Sequence, residues 1–123
     1  MGTRFIATDE ARGHINYKQK IVDTTVGGTV ITRGHSGKTT RIIRNSFSDY
    51  WAAHEKDIKP FPYQLREVGQ PGSVLGRVDG DVDNGVLAAG QSSGLVHSIK
   101  PAGKVVDDIL NEARAVFTRW HAS

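Results

Sequence analysis

Met1-Gly2-Thr3-Arg4-Phe5-Ile6-Ala7-Thr8-Asp9-Glu10 opens the chain with an apolar, strand-like piece that runs into a helix-opening signature. Phe5 and Ile6 suit a strand, and Gly2 permits close approach of backbone to a ligand. Thr8 or Asp9 is suited to cap a helix that follows, over Glu10 to Val22, with Ala11, Ile15, Lys18 and Ile21 at helical spacing. A strand at the very start of a sequence has no upstream neighbour to satisfy its ladder, and an isolated strand is not stable in water. The expectation is that residues 1–22 are one edge of a larger body, and that Gly27 and Gly28 close this part.

Downstream, Thr29-Val30-Ile31-Thr32 and Thr39-Thr40-Arg41-Ile42-Ile43-Arg44 are β-favouring runs separated by Gly34-His35-Ser36-Gly37, and they predict a hairpin. A two-stranded ribbon is marginal alone, so it should pack on helices. Ser46 is a candidate cap for a helix carrying Phe47, Tyr50, Trp51 and His54, which stops before Pro60-Phe61-Pro62. Phe61 to Gly90 is punctuated by proline and glycine; Tyr63 to Val68 and Gly72 to Val78 are expected to form helical turns. From Pro101 onward, Val105, Val106, Ile109, Leu110, Ala113, Val116, Phe117 and Trp120 recur at three- and four-residue steps, predicting a long amphipathic helix with one buried face.

Composition narrows the function classes. The 123 residues suffice for one core, yet 37% hydrophobic content, 14 glycines and a mean hydropathy of -0.38 are lean. With no cysteine there is neither a disulfide framework nor a thiolate metal site, so a cytoplasmic setting is expected. No run approaches the roughly 18 apolar residues of a membrane span. The net charge of +3 arises from 16 basic residues interleaved with 13 acidic ones, without a basic block or alternating aromatic platform. Neither nucleic acid nor membrane is therefore an expected partner.

Three local patterns invite chemistry and fail on detail. Thr32-Arg33-Gly34-His35-Ser36-Gly37-Lys38-Thr39 mimics a phosphate-binding P-loop, but Thr32 replaces the first glycine and the following residues favour a strand where a helix is needed. Asp79-Gly80-Asp81-Val82-Asp83-Asn84-Gly85 begins like a calcium loop, then places Asn84 at position six and Gly90 at position twelve. His14, His35, His54, His97 and His121 show no metal-ligand spacing.

The opening decapeptide, Gly37-Lys38-Thr39-Thr40-Arg41, Arg44-Asn45 and Ala89-Gly90-Gln91-Ser92-Ser93-Gly94-Leu95 together resemble, in order, the C-terminal third of nitronate monooxygenases, formerly called 2-nitropropane dioxygenases. That resemblance implies an α+β fragment of an FMN-binding TIM barrel. Residues 1–22 would be its last strand and following helix, 23–60 the hairpin and helix of a cap region, and 61–123 a loop-rich segment with the C-terminal helices, making a single partial domain. It implies that Met1, Gly2 and Thr3 hold the FMN phosphate, that Gln91 lies near cofactor or substrate, and that the full-length family oxidises alkyl nitronates. Flavin enoyl reductases share the architecture. His35, inside a turn, does not match the setting of the family's catalytic histidine, so no catalytic residue is assigned to this chain. Alone it would be catalytically incomplete, associating with itself or pairing with a missing N-terminal part. Two other functions compete: a small non-catalytic interaction protein binding through the Val105–Trp120 stripe, and a nucleotide binder built on the loop before Lys38.

Overall fold

A computed structural model describes residues 1–123. Five α-helices and one hairpin follow in the order α1 (Gly2–Ile6), α2 (Ile15–Asp23), β1 (Thr29–Thr32), β2 (Thr40–Ile43), α3 (Ser46–Ala53), α4 (Gln70–Arg77) and α5 (Ala102–Ala122). The fold is α+β, with the hairpin and the long C-terminal helix as expected.

The opening segment is a correction: Met1 to Ile6 is not a strand, because Gly2–Ile6 winds as α1. With no neighbouring strand, Phe5 and Ile6 find their backbone partners locally, and the Phe5 amide donates to the Met1 carbonyl. Extended pairing begins only at Thr8, which forms a parallel bridge with Lys100. The helix expected from Glu10 starts at Ile15 instead, capped by His14, whose Nδ1 accepts from the Asn16 amide at 3.0 Å. Asp9 and Glu10 are drawn away from it by other partners. The Asp9 amide donates to the Lys100 carbonyl at 3.2 Å, and a Glu10 carboxylate oxygen accepts from the Ala102 amide at 2.7 Å, capping α5 from a distance.

β1 and β2 pair antiparallel with Thr29 opposite Ile43 and Thr32 opposite Thr40. Gly37 turns the ribbon at φ 85°, a conformation that favours glycine. The ribbon is not left alone: Ile42 bridges to Ala88, and the Ile43 amide donates to the Leu87 carbonyl at 2.9 Å. Residues 86–88 thus act as a short third rung. Ala7, Tyr17, Ile21, Ile43, Leu87, Ala89 and Val96 close into the core, uniting segments from both ends of the sequence. Tyr17 is buried, and its hydroxyl donates to the Ala88 carbonyl at 2.5 Å; burial raises the phenol's pKa.

The two helical turns expected on either side of Gly69 are one continuous stretch from Tyr63 to Arg77, with a wide turn at Leu65–Gly69 leading into α4. α3 begins at Ser46 but its cap is Asn45. The Asn45 oxygen accepts from the Ser48 amide, the Ser48 hydroxyl answers the Asn45 amide, and Asn45 Nδ2 also donates to the carbonyls of Val82 and Gly85. One side chain therefore starts a helix and pins a loop. Asn45→Ala is expected to lower stability by about 2 kcal/mol in urea denaturation, cap and loop contacts together, whereas Ser46→Ala changes it by less than about 0.5 kcal/mol.

Candidate functional site

α1 is a helix of five residues, so its own field is slight, and what it offers is backbone. The amides of Gly2, Thr3 and Arg4 precede the first intrahelical donor and no side chain caps them. Thr3 is buried, and its Oγ1 accepts from the Gly90 amide at 2.9 Å. Gly90 leads directly into a tight 3₁₀ turn, Gln91–Leu95, whose fully buried Ser93 returns its hydroxyl to the Gly90 carbonyl at 2.8 Å. Two segments that lie almost a chain length apart in sequence are thereby held side by side. Met1 is 81% exposed and Gln91 is exposed, so both face outward from this junction.

Arg4 serves the junction from within. One guanidinium nitrogen, Nη2, donates to the Ala7 carbonyl at 2.7 Å and to the Ser98 carbonyl at 2.8 Å, while its Nε is buried with no partner. The side chain ties the end of α1 to the loop before α5. Its signal in the sequence was only a charge beside the Gly2-Thr3 pair, and its carbonyl partners are 94 and 3 residues away. Arg4 also lines a cavity of about 360 Å³ together with Met1, Ser92, His97, Lys100 and Glu112. Asp108 is on the same wall, its carboxyl held down to about 2 by hydrogen bonds from Lys100 and then Lys104.

Met1, Gly2, Thr3 and Gln91 therefore come from adjoining segments, joined through Thr3 and Gly90. The competing patterns lie elsewhere. In the P-loop-like turn, Lys38 sits over the Phe61 ring at 4.3 Å, and Thr40–Ile43 is β2, so no helix N-terminus follows it. His35 packs into the body with its Nε2 3.2 Å from the Ser73 hydroxyl; burial lowers its pKa and the Arg77 charge adds to the effect. The aspartates after Arg77 form a polar turn, in which an Asp81 oxygen accepts from the amides of Asp83 and Asn84 and the Asn84 side chain holds the Asp81 pKa down. No group of three or more histidine or carboxylate side chains is arranged to hold a metal.

The family profile described as nitronate monooxygenase matches residues 1–112, and so takes in both α1 and the Gly90 turn. The chain belongs to the nitronate monooxygenase family. It is 27% identical over 116 residues to a probable nitronate monooxygenase of Staphylococcus aureus strain MSSA476, an alignment spanning 94% of this chain and 32% of that protein. The structure of FabK from Thermotoga maritima superposes with a TM-score of 0.83 at 34% identity, over 99% of this chain and 38% of that one. Nitroalkane oxidase from Streptomyces ansochromogenes superposes with a TM-score of 0.73 at 26% identity, covering 95% of this chain and 33% of that one. This nitronate monooxygenase family chain spans about a third of the length of the relatives it matches. No helix in it is long and apolar enough to cross a membrane.

The Thr3–Gly90 bond is the seam of the site. Thr3→Val removes the acceptor and strands a part-buried amide, and is expected to cost about 1–3 kcal/mol in urea denaturation. Thr3→Ser keeps the oxygen and should retain most of that stability.

Proposed function

We propose that this chain is the C-terminal part of an FMN-dependent oxidoreductase of the nitronate monooxygenase type, and that its share of the work is to hold the flavin's phosphate. Gly2 and Thr3 would donate backbone amides to the phosphate oxygens, Met1 would lead into them from the end of a barrel strand, and Gln91 would stand at the neighbouring edge toward cofactor or substrate. The single observation that supports this most is the Thr3–Gly90 hydrogen bond, which keeps an uncapped set of amides beside the Gln91 turn.

The residues fit an anion. No protein atom lies within 4 Å of the place a Cβ on Gly2 would take, so packing inside this chain does not require a glycine there, whereas an anion against the backbone would. Arg4 adds positive charge nearby while its Nη2 stays committed to carbonyls, so it is a positioning residue and not a phosphate ligand. When bound, FMN supplies the redox chemistry; the chain's part is orientation and electrostatics. An alkyl nitronate is the substrate class that the family resemblance favours for the whole protein, and an enoyl thioester reduced through the same cofactor is the runner-up, in keeping with the superposition on FabK. The chain alone, at about a third of its relatives' length, is expected to be catalytically incomplete.

Amide-resolved NMR of the chain, titrated in parallel with FMN and with riboflavin, tests the assignment. Shifts confined to Gly2, Thr3, Arg4 and Gln91 are expected with FMN and absent with riboflavin, which lacks the phosphate. Equal shifts with both ligands, or none with either, would remove the phosphate role from these residues.

A further inference from the structure

α5 outruns the body it grows from. At 1.5 Å per residue its 21 residues extend about 31 Å, yet Val105 is the only buried one. Val106, Leu110, Val116, Phe117 and Trp120 are 46%, 49%, 37%, 57% and 72% exposed, along the face the sequence marks as apolar. Soluble monomers rarely show a continuous apolar patch of more than a few hundred Å². The stripe has two further properties that point to one occupant.

The first is symmetry. Counted outward from Ala113, apolar residues recur at equal steps in both directions: Leu110 and Val116, Ile109 and Phe117, Val106 and Trp120. A second helix of the same sequence, running antiparallel with its Ala113 at the same level, would set Val106 level with the partner's Trp120 and Ile109 level with the partner's Phe117. The small side chain of Ala113 at the crossing point lets the two backbones approach. The second is charge. Asp107, Asp108 and Glu112 occupy the first half of α5, with Lys104 paired to Asp108, whereas Arg114, Arg119 and His121 occupy the second half. An antiparallel pair lays each acidic half beside a basic one, and a parallel pair lays like beside like. Exposed charges contribute little affinity but do select orientation.

We infer that α5 is a homodimerisation helix, which pairs antiparallel with α5 of a second copy of this chain about a two-fold axis at Ala113. The geometry is isologous: each stripe covers the other, so the contact closes at two copies and does not propagate. It draws on no residue of the flavin-phosphate assignment, so either can fail without the other.

The chain has no cysteine, so single introduced thiols report the pairing directly. In sedimentation of the purified chain a dimer is expected, and Phe117→Asp, at an exposed position that leaves the core intact, should weaken it at least tenfold. With a short bis-maleimide, Ala113→Cys should cross-link to itself. Val106→Cys should not, but should cross-link to His121→Cys when the two variants are mixed. A monomeric chain overturns the inference and leaves the stripe to a different partner, such as the remaining two-thirds present in its relatives. Self-cross-linking of Val106→Cys, or a dimer that Phe117→Asp does not weaken, overturns it as well.

Discussion

The structure depends on the docking of its first ten residues against residues 90–102. Four contacts make that seam. Thr3 accepts from the Gly90 amide, Arg4 spans to the Ser98 carbonyl, the Asp9 amide meets the Lys100 carbonyl, and Glu10 caps α5 through the Ala102 amide. Lys18, itself buried, steadies the seam from α2 by donating to the Asp9 carbonyl at 3.2 Å. Each neutral bond contributes only about 1 kcal/mol, but releasing any one of them leaves a partly buried polar group without a partner, and that asymmetry makes the set cooperative. Because the seam fixes α1, it also fixes where the open amides of Gly2 and Thr3 lie relative to Gln91, and it fixes the root from which α5 projects.

The rest of the molecule is thinly buried. Only 24 of 123 residues are buried, and the main apolar cluster is seven residues contributed by α2, β2, the 86–89 segment and the two sides of the seam. A core this small explains why so much of the apolar sequence faces outward, including Ile31, Val78 and Leu95 as well as the α5 stripe. It agrees with a chain that spans about a third of its family's length, in which surfaces exposed here have counterparts to meet in the longer relatives.

The hairpin and α5 were legible in the sequence because their signals are local: β-branched runs around a glycine turn, and a stripe at three- and four-residue steps. The opening segment was not. Phe5 and Ile6 have strand propensity, but propensity yields to the availability of a partner, and here the nearest extended partner reaches only as far as Thr8. The helix start was misplaced for a related reason: Asp9 and Glu10 look like first-turn residues until Lys100 and Ala102 compete for them from the other end of the chain. Asn45 against Ser46 is a shift of one position, decided by the carbonyls of Val82 and Gly85, which no local pattern reveals. Of the candidate site, the motifs Met1-Gly2-Thr3 and Gly90-Gln91 were visible separately. That Thr3 is the side chain joining them, and that Arg4 is bound to carbonyls, are properties of long-range contacts alone.

Amide hydrogen exchange on the intact chain tests the seam most directly. If the first ten residues are docked, the amides of Asp9, Gly90 and Ala102 exchange nearly as slowly as that of Ile43, whose bond to Leu87 belongs to the core. Exchange at the unprotected rate for those three, with Ile43 still protected, would mean that the N-terminal segment is not held where the site requires it.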